Sequence, residues 1–172
     1  DEALHTIAEL AEGGMRDAQS MLDQLLTFSD GNLTEQAVRS MYGLLSSESV
    51  IDLADAIESN NYANVLKGVD FIVQSGCDTY RVLLSLEKHF HGKLLKAVKD
   101  KSNMGYPPFV YAKILEILKT GEEQLQKGLS IKSNLESILF RAIECTKLAS
   151  IEVLLQAFND LPDDVKKNDL NS

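Results

Sequence analysis

Tryptophan is missing from this chain of 172 residues, proline occurs three times and cysteine twice. Two of the prolines share one loop, Tyr106-Pro107-Pro108, so almost nothing interrupts helical runs elsewhere. Cys77 and Cys145 lie far apart, match no metal-ligand spacing, and read as reduced cytosolic thiols, partly buried. His89 and His91 are two residues apart, which on a helix puts them on different faces, so both are expected as helix-surface residues and no metal site is expected. No apolar run is long enough to span a bilayer, so no membrane contact is expected. There is no signal peptide, and the chain opens in mid-pattern at Asp1 without a methionine, which reads as a fragment of a longer protein. No Gly-x-x-x-x-Gly-Lys-Ser/Thr loop is present, no strand followed by an acidic pair for magnesium, and no Ser/His/Asp or Cys/His nucleophile arrangement. The expectation is therefore no catalytic residue and no enzyme activity in this chain.

Basic residues are also in short supply. The net charge is −9, with 26 acids against 17 bases. The imbalance is concentrated at the start, where residues 1–46 hold eight acids and two bases. Such a surface opposes long-range attraction to phosphate backbones, so the chain is not expected to bind DNA well alone. The hydrophobic content of 44% with 25% charge is that of a soluble globular protein, able to build a sizeable core and expected in the cytoplasm.

Apolar residues recur at three- and four-residue spacing almost throughout, with little strict alternation, so the fold class is all-α. The spacing predicts a helix over Glu2 to Leu10 with Leu4, Ile7, Ala8 and Ala11 on one face. A break at Gly13-Gly14 precedes a second helix from Met15 to Phe28, with Met21, Leu22, Leu25 and Leu26 apolar. Thr34 is the expected cap of a short third helix ending near Gly43. Ser46 or Ser47 caps a helix with Val50, Ile51, Ala54 and Ile57. Asn60-Asn61 then opens one with Val65, Leu66, Val69, Ile72 and Val73 inward, stopped by Gly76. Asp78 opens a long helix through Lys99 with Leu83, Leu86, Phe90, Leu94 and Ala97 in one stripe. Two more follow, Phe109 to Lys127 with Ile114, Leu115 and Leu118, and a last one capped by Ser130 with Leu135, Ile138, Leu139, Ala142 and Ala149 inward. Phe90, Tyr106, Phe109 and Tyr111 are expected in the core or packed in loops rather than as a stacking platform for bases. Asp163 to Asp169 is polar, as in a frayed end or a linker. The expected boundaries give a first unit at residues 1–43, a second at 44–160, and a tail or linker at 161–172.

One word in the sequence carries more than periodicity. Ala11-Glu12-Gly13-Gly14-Met15-Arg16-Asp17-Ala18-Gln19-Ser20-Met21-Leu22-Asp23-Gln24 joins a two-glycine break, an arginine at a helix start and an amphipathic continuation. Free N–H groups at a helix start together with a guanidinium suit an anion such as phosphate. The word resembles the sensor-2 segment, Ala-Glu-Gly-Ser-x-Arg-Asp-Ala-Leu-Ser-x-x-Asp-Gln, of bacterial clamp-loader subunits of the DNA polymerase III gamma/tau family. Gly31 to Gly43 resembles that family's next turn and Thr-x-x-x-Val-x-x-Met-Leu-Gly helix, Ser75 to Leu84 its Gly-x-Asp and leucine-rich helix, and Asn134 to Arg141 the segment closing its collar core. The resemblance runs from about Asp1 to Glu152.

The resemblance implies that residues 1–43 are the C-terminal part of an AAA+ lid domain and residues 44–160 a helical collar that oligomerises the loader. It implies that Arg16 is the sensor-2 arginine, touching the terminal phosphate of ATP held by a separate Walker domain, with Gly13 and Gly14 permitting close approach at the helix start. Gly14 stands where the family more often has serine, which removes a side-chain cap, and Gln19 stands where leucine is common. ATP and Mg would belong to the full-length parent, and this chain would hold no cofactor. The implied partners are other clamp-loader subunits (a second copy, delta, delta-prime) through the collar, with the sliding clamp, the polymerase and primed DNA met through the whole complex. Two other readings stay open here: the lid region of another AAA+ ATPase, and a free-standing helical protein–protein adaptor.

Overall fold

The computed structural model describes residues 2–11, 13–99, 105–125 and 130–159, with side chains described as far as residue 148. Every regular element among them is a helix: α1 (Glu2–Leu10), α2 (Met15–Phe28), α3 (Glu35–Tyr42), α4 (Ser47–Glu58), α5 (Tyr62–Gln74), α6 (Thr79–Lys99), α7 (Pro108–Leu125) and α8 (Ile131–Asn159). The ends follow from local chemistry. The Thr34 hydroxyl accepts from the Ala37 N–H at 3.1 Å, Ser46 Oγ from Ser49 at 3.0 Å, and Asn61 Oδ1 from Asn64 at 3.0 Å. Asp78 Oδ1 accepts from Tyr80 at 2.9 Å. Each satisfies a first-turn donor that the helix itself leaves unpaired. Gly43 closes α3 in the left-handed region at φ +60°, where a side chain is strained.

The helices form two hydrophobic clusters. The smaller is centred on Ala3, Ile7, Leu25 and Val38, so α1, α2 and α3 meet on one small core, edged by Met21, Leu22, Leu33 and Tyr42. The larger begins at Leu45 and draws on α4 to α8, with Phe90, Leu83, Leu86, Ile114, Leu118 and Leu139 among its fully buried members. The most extensive helix pairings are α6 with α7 and α7 with α8. At Gly121 the last two run so close that an added Cβ would lie 2.8 Å from Ile138. Tyr106 ties the loop before α7 to the end of α4 by donating to the Glu58 carbonyl at 2.8 Å.

Several inward faces are rotated from the expected ones. On α1, Ala3 and Ile7 are buried while Leu4 and Ala8 are exposed. On α5, Val65, Val69 and Ile72 are buried but Leu66 and Val73 face outward, and on α4 Leu53 replaces Ile51 in the core. Leu26 is also exposed, as is Phe109, expected to be packed. In each case one of two adjacent apolar stripes is taken, the one facing the neighbouring helices, and sequence does not distinguish them. His89, expected at the surface, is half-buried with Nε2 shut off from solvent, while His91 is exposed. Cys77 and Cys145 are both free and half-buried, and burial pushes both thiols up. Helix α7 starts at Pro108, one residue earlier than expected; Lys127, the Ala149 side chain and the 161–172 tail lie outside the described residues.

Candidate functional site

The sequence points to the start of α2. Gly13 takes φ +86°, a conformation that side chains rarely adopt, and turns the chain sharply between α1 and α2. The Gly14 N–H donates to the Ala11 carbonyl at 2.7 Å, and Gly14 stands as the N-cap in extended conformation with no side chain capping it. The first-turn N–H groups of α2 therefore keep their capacity to bind an anion, with the positive end of the helix dipole behind them. Arg16 lies in this first turn, exposed, and takes part in none of the ion pairs found among the described residues. A guanidinium in no ion pair, on the first turn of a helix with no side-chain cap, is a planar donor array suited to phosphate oxygens, and Asp17 is the acidic residue of the same turn.

Gly14 has little space. A Cβ there would stand 2.7 Å from Asp17 Oδ2 and 3.0 Å from the Ala11 carbonyl oxygen. The serine more common at this position in the resembling word would displace the Asp17 carboxylate. Asp17 and Gln19 are exposed, as are Asp23 and Gln24, while Met21 and Leu22 pack on the small core. The structure thus brings Gly13, Gly14 and Arg16 together at one helix start and anchors that helix through Leu25, which is fully buried. Among the described residues, no three His, Cys, Asp or Glu side chains form a group that could hold a metal ion, and no helix is long and apolar enough to cross a membrane.

Residues 1–31 match the family model of the DNA polymerase III clamp-loader subunit ATPase lid domain. Residues 33–105 match the model of domain III of DNA polymerase III subunits gamma and tau. Residues 1–31 and 33–105 thus match, in order, two domains of DNA polymerase III gamma/tau clamp-loader subunits. Among its relatives, DNA polymerase III subunit tau of Bacillus subtilis is 31% identical over 93 residues, covering 54% of this chain and 16% of that protein. Subunit tau of Escherichia coli is 31% identical over 84 residues, covering 49% of this chain and 13% of the relative. A longer match, at 23% identity over 154 residues, joins 83% of this chain to 22% of subunit tau/gamma of Haemophilus influenzae. The chain thus spans less than a quarter of the length of these gamma/tau relatives. The lid model stops at residue 31 and the domain III model starts at 33, whereas α3, within the domain III match, packs Val38 with Ile7 and Leu25 on the small core.

Two features of the region between the clusters carry no motif. Arg39 Nη1 donates to the Leu45 carbonyl at 2.6 Å, while its Nε donates to Glu35 at 2.7 Å. Lys88 Nζ, on α6, donates to Glu9 Oε1, on α1, at 2.9 Å, which holds the Glu9 carboxyl below the usual carboxylate range. Sequence reading passes over these residues because each pairing joins positions whose partner depends on how the helices are arranged.

Proposed function

We propose that this chain is the lid-and-collar portion of a clamp-loader subunit, in which residues 44–160 associate with neighbouring collars and residues 1–43 transmit the nucleotide state of a separate ATPase domain. The observation that carries this reading is the free Arg16 guanidinium at an uncapped helix start, inside the segment that matches an ATPase lid. Arg16 and the first-turn N–H groups contact the terminal phosphate of ATP bound, with Mg, on the ATPase domain of the parent. Loss of that phosphate removes a charge-assisted contact, and the α2 start is released. The chain itself turns over no ATP, because its part is to sense the phosphate and not to hold the whole nucleotide.

The collar function is supported by apolar side chains left outside a core that is already complete. Leu95 and Val98 lie on one outward stripe of α6, opposite its buried Val82, Leu83, Leu86 and Phe90. Leu66 and Val73 do the same on α5. Such stripes suit side-by-side packing against other subunits of the loader in the cytoplasm, the second copy, delta and delta-prime included. Sliding clamp, polymerase and primed DNA are then reached through the assembled complex.

Sedimentation velocity over a concentration series, alone and with delta and delta-prime subunits, tests the reading. The expected result is a discrete assembly with the partners, weakened by Leu95→Lys on the outward stripe. A chain that stays monomeric and sediments independently of both partners overturns it and returns the adaptor reading to the front.

A further inference from the structure

The two helical groups face each other across an open groove of about 1420 Å³, floored where α3 runs into α4. Its walls carry unlike charge. Glu2, His5 and Glu9 of α1 line one side, and Arg81 and Lys88 of α6 line the other. At the closed end the groups are tied firmly. The Asp78 N–H donates to the Gly43 carbonyl at 3.0 Å, and the Arg39 guanidinium donates to the Leu45 carbonyl at 2.6 Å. Leu45 is itself buried in the larger core, so this clamp joins α3 to the start of the second cluster. At the open end the hold is slight, consisting of Lys88 Nζ on Glu9 Oε1, with Lys88 74% and Glu9 51% exposed.

We propose that the Lys88–Glu9 pair is a releasable latch that sets the angle between the α1–α3 group and the α4–α8 group about an elbow at Gly43–Leu45. The geometry gives the two ends different tasks. The elbow bonds lie beside the pivot and involve backbone carbonyls next to buried or glycine positions, so they survive a change of angle. The latch lies away from the pivot, on long exposed side chains, where a small rotation breaks it. An exposed ion pair of this kind shifts an equilibrium by only about two- to fivefold, the range in which another contact on either group can release it. His5 Nε2 stands 3.7 Å from the same Glu9 Oε1, so α1 carries an internal competitor for the carboxylate that Lys88 holds. The latch regulates angle alone and does not depend on phosphate sensing by Arg16.

The test is a distance measurement by pulsed electron paramagnetic resonance in the whole 172-residue chain. Spin labels go on exposed Ser20 and Lys67, one in each group, after Cys77→Ala and Cys145→Ser. The expected parent distribution has one dominant distance in dilute salt. Lys88→Glu moves the ratio of that distance to longer ones by about two- to fivefold, and the swapped pair Glu9→Lys with Lys88→Glu restores it. Lys88→Met, which keeps the apolar stem and removes only the charge, moves the ratio in the same direction. An unchanged distribution in Lys88→Glu, or a swap that fails to restore the parent, overturns the latch.

Discussion

The first three helices and the last five solve the problem of burial very differently. Among the described residues, α1 to α3 bury four side chains in their own cluster, whereas α4 to α8 and the approach to α4 bury twenty-three. A group as small as the first removes too little apolar surface from water to offset the entropy of ordering its own chain. The larger group has a core with aliphatic side chains from every one of its helices, joined by the buried rings of Phe90 and Tyr111. On this count the α1–α3 group leans on its surroundings for stability, while the α4–α8 group has a core large enough to fold as a unit. That inequality agrees with the proposed roles, in which the α1–α3 group moves and the α4–α8 group assembles.

Severing the chain between the two groups is expected to have the largest effect. Residues 44–172 alone are expected to melt cooperatively by circular dichroism, and residues 1–43 alone to show no cooperative transition. Next in size are core truncations. Phe90→Ala removes a fully buried ring from the large core, and a loss of about 3–5 kcal/mol is expected in denaturant titration, felt by all five collar helices. Leu25→Ala is expected to cost a comparable amount locally, but to release α1 to α3 and leave the collar transition in place.

A smaller effect is expected at the elbow. Gly43→Ala forces a side chain into the left-handed region with its Cβ 3.0 Å from the Asp78 nitrogen, and about 1–3 kcal/mol of destabilisation follows, measurable as a lower melting temperature. Smaller still is a pH effect confined to the collar. Burial, reinforced by the charge of Glu122, holds the Glu87 carboxyl above its ordinary value, against the opposing pull of Lys119. The folded state thus takes up a proton more readily than the unfolded one, and its stability rises as pH falls through the raised folded value. Glu87→Gln is expected to abolish that slope and to raise the melting temperature slightly at neutral pH.

Much of this arrangement is legible in the residues themselves. Thr34, Ser46, Asn61 and Asp78 announce helix starts because a short polar side chain there satisfies a donor, and each does so in the structure. Gly43 announces a stop for a matching reason. The Gly13-Gly14-x-Arg16 word is legible because its chemistry is local, contained in one turn and the helix after it. What is hidden is whatever depends on a distant partner. Leu66 and Val73 look as inward as Val65 and Ile72 until the direction of the neighbouring helices is known. Arg39 and Lys88 look like ordinary surface cations, and only the meeting of α3 with the start of α4, and of α1 with α6, gives them work. His89 passes for a surface residue because nothing in its neighbourhood along the chain reveals the packing that shuts off Nε2.

The most direct test of an independent collar carrying a dependent lid is amide hydrogen exchange, read helix by helix on the parent chain and on Leu25→Ala. The expected result is strong protection in α4 to α7, weaker protection in α1 to α3, and a variant in which only α1 to α3 lose protection. Equal protection across all of these helices, lost together in the variant, would contradict the account.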